Sequence, residues 1–273
     1  MSKSYCNTNH ILVGLGGTGG KILREFKMRM FEEFPTKEER RKQPVSILYV
    51  DSTKEMMPKE GRPRPDFRVM GQDASFTNEE FLFIKGSDVT YLLEHIDAYP
   101  ALKGIVSNAS LVKTAIGNLG EAAGQKRRAG RLLFASNAVA FTNAMKNAYS
   151  RCRDISENER ELNVHIFAGL SGGTGSGSII DAIVQTRKLF PSAVISVYAM
   201  IPEMHLPKPN MDKGLYYQNG YAALNELNAL QAGRYIPHDV TGAGYEANFW
   251  SSSVHGVANG ITLYSNVYIS TDF

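Results

Sequence analysis

Twice in this chain an apolar run ends in a glycine-rich turn that opens onto a helical pattern. That repetition constrains the fold more than any other feature. His10–Val13 runs into Gly14-Leu15-Gly16-Gly17-Thr18-Gly19-Gly20, and Lys21–Phe34 then carries Ile22, Leu23, Phe26, Met30, Phe31 and Phe34 at helical spacing. Val45–Val50 is the next apolar run and ends at Asp51. Strand, turn, helix, strand is a βαβ unit, and such units build parallel sheets covered by helices. The second case is Leu162–Ala168, followed by Ser171-Gly172-Gly173-Thr174-Gly175-Ser176-Gly177 and a helical pattern over Ser176–Phe190 that Pro191 ends. Ala193–Ile201 is a further buried strand, stopped by Pro202. The expected fold is α/β, a Rossmann-like three-layer structure around a mostly parallel sheet.

Between these units the spacing predicts one helix over Asn78–Leu93, with Asn78 as cap and Glu79 and Glu80 in the first turn. It predicts a single long helix over Gln125–Cys152, a helix over Leu215–Ala232 and a last strand over Tyr264–Ile269. Lys37–Lys42 reads as a solvated charge run and Lys54–Arg68 as a Pro-rich loop. The 273 residues read as one domain, long enough to bury a core without staples. A net charge of +3 is too weak a bias to argue for nucleic acid or membrane partners. Two cysteines, no apolar leader in the first ten residues and no run near the ~18 residues of a membrane helix make the cytoplasm the expected compartment. The end at Asp272-Phe273, directly after a strand, leads to the expectation of a piece of a longer protein.

The chemistry sits in the glycine turns. Glycine lets backbone N–H groups approach an anion closely, and a helix N-terminus adds partial positive charge. The first turn fits Gly-x-Gly-x-x-Gly through Gly14, Gly16 and Gly19, a weak dinucleotide signal. The second turn, with hydroxyls between four glycines, reads as a cradle for the oxygens of a di- or triphosphate. Lys126, Arg127, Arg128 and Arg131 crowd the start of the long helix, against its macrodipole; a bound anion, or a solvated face with Glu121 as partner, would relieve the conflict. Asp51 ends a strand where an acid meets a ribose or a metal. The six histidines show no metal-ligand spacing, so no metal site is assigned.

Ser171–Gly177 resembles the signature loop of the tubulin/FtsZ superfamily, whose family form is Gly-Gly-Gly-Thr-Gly-Ser/Thr-Gly. Val13–Leu23 resembles the first phosphate loop of FtsZ, and Gly120–Arg131 its third loop. Their order points to the divergent bacterial tubulin-like proteins. The resemblance implies a GTP- or GDP-binding domain, with Mg²⁺ as companion, from a cytoskeletal or scaffold protein that self-associates or forms filaments. By the same resemblance, Gly16, Gly17, Thr18 and Gly19 meet the α- and β-phosphates, and Asp51 stands near Mg²⁺ and phosphate. Gly172, Gly173, Thr174, Gly175 and Ser176 form the signature cradle, with Gly124 and Arg127 in the loop closing over the terminal phosphate. Glu203 matches the ribose-holding acid, and Asp272 falls near the guanine-contacting position. Departures are Ser171 for the first signature glycine and Gly20 where an Asn often ends the first loop. The family's central helix and catalytic loop should follow Asp272, so hydrolysis is expected only with downstream sequence or a neighbouring subunit. Two other readings compete: an NAD(P)- or FAD-dependent oxidoreductase, and a non-hydrolysing interaction module of the same fold. The first needs its ribose acid about 20 residues past the glycines, and Asp51 follows Gly20 by 31.

Overall fold

The computed structural model describes residues 8–59, 62–84, 89–116, 123–153, 161–203, 213–235, 237–241 and 260–264. Its elements begin with β1 (Asn9–Leu15), α1 (Gly16–Glu33), α2 (Lys37–Arg41) and β2 (Val45–Asp51). A small hairpin follows, β3 (Arg68–Val69) and β4 (Gln72–Asp73), then β5 (Phe81–Phe83), α3 (Val89–Glu94), α4 (Pro100–Lys103) and α5 (Ala109–Ile116). The second part holds α6 (Arg127–Ser136), α7 (Ala138–Arg153), β6 (Leu162–Gly169), α8 (Thr174–Leu189), β7 (Val194–Met200), α9 (Lys213–Gln231) and β8 (Gly260–Tyr264).

Six strands form one sheet in the order β5-β2-β1-β6-β7-β8. Each neighbouring pair is parallel. From β1 the chain first builds outward through β2 and later returns to the opposite side of β1 with β6. The reversal opens a crevice beyond the carboxyl ends of β1 and β6, where open α/β sheets bind ligands. Leu15 stands opposite both Val50 and Ala168, and Gly169 stands opposite Met200. The glycine turns, Asp51 and the residues after β7 therefore leave the sheet along one rim.

Apolar residues alternate to the two faces, as the pleat requires. Ile11, Val13, Leu15, Val164, Ile166, Val197 and Ala199 bury against α6, α7 and α8. Leu12, Ile47 and Tyr49 face the other way, with Leu23 of α1 and the rings of Phe67 and Phe76. Each fully buried side chain of this size stabilises the fold by about 1.5–3 kcal/mol relative to exposure. On that second face α1 packs on β1, β2 and β6. Val194, Ser196, Tyr198 and Met200 of β7 stay half-buried there.

Several expectations are corrected. Asn78–Leu93 is not one helix: Asn78–Glu80 is a single 3₁₀ turn under a Thr77/Glu80 capping box, Phe81–Phe83 is the edge strand β5, and helix begins at Val89. Pairing with Tyr49–Asp51, and the Phe81 ring 5.1 Å from that of Tyr49, outweigh the helical spacing. Gln125–Cys152 is two helices parted at Asn137, whose side-chain amide donates to the Leu133 carbonyl at 2.8 Å in place of a continuing ladder. Lys37–Arg41 is a short exposed helix, nucleated by a Thr36–Glu39 capping box. The last strand is described over Gly260–Tyr264, and the rest of the expected Tyr264–Ile269 segment lies outside the described residues. Among the described residues no helix is long and apolar enough to cross a membrane.

Candidate functional site

Two helices start on the carboxyl rim, α1 at Gly16 and α8 at Thr174. Neither N-terminus has a side-chain cap or an acid in its first turn. The first N–H groups of both are therefore left without side-chain acceptors, beside each other at the switch point. The two turns touch: a Cβ on Gly16 would lie 2.8 Å from the Gly175 nitrogen, and one on Gly175 would lie 2.7 Å from the Leu15 carbonyl oxygen.

The glycines divide into two groups by what surrounds them. A Cβ on Gly17 or on Gly172 would meet no protein atom within 4 Å. The others close on protein. Gly19 lies against the Phe167 carbonyl, Gly173 against the Gly124 carbonyl and Gly177 against the Arg127 carbonyl, each too close for a Cβ. Gly16 and Gly124 have positive φ (68° and 56°). Gly173 does not: its φ is −80°. In the sequence the second turn reads as a cradle, with Gly172, Gly173 and Gly175 as its phosphate-facing glycines by resemblance. Much of their density instead lets α6 approach α8, where a Cβ on Gly130 would lie 2.1 Å from the Gly173 carbonyl oxygen. A site that accepts phosphate oxygens on bare backbone fits Gly17, Gly172 and the two open helix ends.

Asp51 closes β2 with its carboxylate held from several sides. The Tyr49 hydroxyl donates to Oδ2 at 2.6 Å and the Ser52 N–H to Oδ1 at 2.7 Å. Burial pushes the Asp51 carboxyl up from its ordinary value, against the opposing pull of these bonds. Ser52 carries the network onward, with its Oγ 2.8 Å from Thr174 Oγ1 and accepting the Ala123 N–H at 3.2 Å. Thr18 is exposed, and its hydroxyl side chain packs against the backbone of Gly169. Glu203 follows β7, with its backbone N–H donated to the Tyr216 hydroxyl at 3.1 Å. Asp272 lies outside the described residues.

The basic cluster at the start of α6 has protein counter-charges. Arg127 forks onto Glu226 of α9, with Nη1 to Oε1 at 2.8 Å and Nη2 to Oε2 closer still, while its Nε donates to Ser176 Oγ at 3.1 Å. Arg131 forks onto the fully buried Asp181 of α8 at 3.0 and 3.2 Å. The macrodipole conflict is thus met by two carboxylates from neighbouring helices, and Glu121 lies outside the described residues. Ser176 is fully buried and faces α6 and α9.

Asn219 of α9, which the sequence reading missed, ties the rim together. Its Nδ2 donates to the Gln125 carbonyl at 2.6 Å and to the Ser171 carbonyl at 3.1 Å. Ser52 was visible only as the neighbour of Asp51; Asn219 and Glu226 carry no local signal, because their roles arise from where α9 docks. Among the described residues no group of three or more His, Cys, Asp or Glu side chains gathers around a metal position.

The fold and the rim define a Rossmann-like α/β domain whose paired glycine turns meet at the switch point of a parallel sheet. A family model described as tubulin-like matches residues 11–269, and the chain belongs to that family. No curated protein sequence matches it. Among solved structures, CetZ from Methanosaeta thermophila strain DSM 6194 aligns with 95% of this chain at a TM-score of 0.52 and 15% identity. TubZ from Bacillus thuringiensis serovar israelensis, in a GTPγS-form protofilament, aligns with 95% at 0.50 and 12%. At such identities the likeness is one of fold. The chain spans 46% of that CetZ chain and 49% of that TubZ chain.

Proposed function

We propose that this chain binds a guanine nucleotide, with its phosphates over the backbone of Gly17 and Gly172, as the nucleotide-binding part of a self-associating tubulin-like protein of the cytoplasm. One observation carries the reading. Two uncapped helix N-termini converge at the sheet's switch point beside two glycines whose faces meet no protein atom. Gly16, Gly19, Gly173 and Gly175 set the path of the turns, and Thr18 and Thr174 add hydroxyls at their edge. Gly124 and Arg127 belong to the segment that would close over the far phosphate, held there by Glu226 and Asn219. Glu203, which follows β7, would take a ribose hydroxyl on this reading. Asp272 enters as a base contact on the resemblance alone.

A Mg²⁺ ion would neutralise phosphate charge, and Asp51 is the carboxylate at the rim suited to it. Mg²⁺ is commonly held by one or two carboxylates together with substrate phosphates rather than by an all-protein cage. Self-association is supported by the TubZ relative, which is solved as a protofilament. Turnover is a separate matter. The backbone N–H groups and hydroxyls gathered at the two turns donate hydrogen bonds, and on this reading the Asp51 carboxylate serves the Mg²⁺ ion rather than a water. They suit phosphate binding better than orienting an attacking water, which comes on this reading from downstream sequence or a neighbouring subunit.

The test compares adjacent glycines. Gly172→Ala adds a methyl group where no protein atom stands, so folding should be unchanged while GTP affinity falls about tenfold or more. Gly173→Ala drives a methyl group to within 2.1 Å of the Gly124 carbonyl oxygen and should lower the denaturation midpoint itself. Unaltered GTP binding by a folded Gly172→Ala protein would count against the assignment.

A further inference from the structure

At the amino end of β2, away from the glycine turns, the described residues leave one edge of the sheet without a neighbouring strand. Strand β5 pairs only with Tyr49, Val50 and Asp51. The Asp51 carbonyl accepts the Ile84 N–H on that side, so alternation turns the N–H and C=O of Ile47 and the C=O of Val45 the same way. Among the described residues no strand lies beside them. The Ile47 carbonyl has one long contact, Arg151 Nη2 at 3.4 Å. A groove of 520 Å³ follows this edge. Phe26, Met30 and Phe31 of α1 give it an apolar wall.

Its rim is basic. Lys27, Lys37, Arg40, Arg41 and Arg151 line it against a single acid, Glu80. Lys27 and Glu80 pair with each other at 2.6 Å. Arg40 is spent on the Phe34 and Pro35 carbonyls and on Gln72, with its guanidinium 3.8 Å over the Phe31 ring. Lys37 and Arg41 are exposed, and among the described residues they carry no acid partner and Arg151 has only its long contact. Three cations are thus available beside an open backbone ladder and an aromatic-apolar wall.

We propose that this groove docks an extended acidic segment of a partner protein, which adds as a strand along Val45–Ile47. Strand addition takes its affinity from main-chain hydrogen bonds and its specificity from pockets for alternate side chains. Here the Ile47 N–H and the Val45 carbonyl offer the bonds. Phe26, Met30 and Phe31 receive apolar side chains, and Lys37, Arg41 and Arg151 receive carboxylates. Edge strands are commonly guarded by cations against unwanted pairing. Guarding alone does not require an apolar wall, and this groove selects for negative charge on whatever does pair. The site lies about 13–20 Å of strand from Asp51 and is independent of the nucleotide reading.

The test uses a peptide pool alternating Asp or Glu with Val, Ile or Phe, titrated into the full chain while hydrogen exchange is followed at the Ile47 amide. The expected result is exchange slowed about tenfold or more, weakening with salt, and lost in the Lys37→Glu/Arg41→Glu variant. Both substituted side chains are exposed, and an unchanged denaturant midpoint of the same variant reports its fold separately. The proposal is overturned if the Ile47 amide stays unprotected up to ~1 mM pool. It is equally overturned if a pool with Lys in place of the acids, or one with N-methylated backbones, protects as well. Protection by dodecanoate alone would reassign the groove to a small amphiphile. Protection that rises with protein concentration without peptide would reassign it to a second copy of the chain.

Discussion

The proposed phosphate rim turns on a few atoms whose neighbours decide their use. Gly17 and Gly172 are open, whereas Gly173 and Gly177 are glycine because the carbonyls of Gly124 and Arg127 leave no room for a Cβ. Asp51 is the other residue on which the proposed site depends. Its buried carboxyl holds its proton more tightly in the folded chain than the ordinary value of 3.8 allows. The folded state therefore binds more protons than the unfolded one, so this contribution to stability is largest at low pH. It is lost as pH rises from near 3.8 through the raised native value. Wild-type stability relative to Asp51→Asn should accordingly improve on going from about pH 7 to about pH 4. Denaturant midpoints of the two proteins across that range provide the check. A difference that stays constant with pH would mean that the carboxyl is not perturbed as described.

At the scale of elements, α9 locks the rim by holding two loops that come from distant parts of the chain. Asn219→Ala would leave the Gln125 and Ser171 carbonyls without their donor. A cost of about 1–3 kcal/mol is expected, seen as a lower denaturant midpoint with faster hydrogen exchange around residues 124–127 and 171–173. A midpoint within error of wild type would show that α9 merely rests on these loops. The elements also show what was legible in the sequence. β1, β2, β6 and β7 were readable because local pattern and final environment agree: apolar or alternating runs, followed after β1 and β6 by glycine and then helical spacing. β5 was not, because Phe81-Leu82-Phe83 follows a capped turn at helical spacing and becomes a strand only by pairing with Tyr49–Asp51. The break at Asn137 was hidden because a single Asn is tolerated in many helices. Within the site, Gly17 and Gly172 could not be told apart from Gly173, since the distinction depends on the approach of α6 and Gly124. The partners of Arg127 and Arg131 were out of reach for the same reason: they lie on α9 and α8.

For the whole molecule, the parallel order β5-β2-β1-β6-β7-β8 brings both glycine turns to one rim, and the chain belongs to the tubulin-like family. The chain as it stands should bind GTP yet release phosphate slowly, at a rate per molecule that does not change with protein concentration. A phosphate-release assay over a concentration series checks this; a specific rate that climbs steeply would reveal water-orienting groups within the chain. The most direct measurement of the central claim is the identity of the retained nucleotide. The purified chain is incubated with equal amounts of GTP, ATP, NAD and FAD in the presence of Mg²⁺, freed of excess ligand, denatured and chromatographed. The account predicts guanine nucleotide, at close to one per chain in the wild type and sharply depleted in Gly172→Ala. Recovery of NAD or FAD, or of no nucleotide at all, would contradict it.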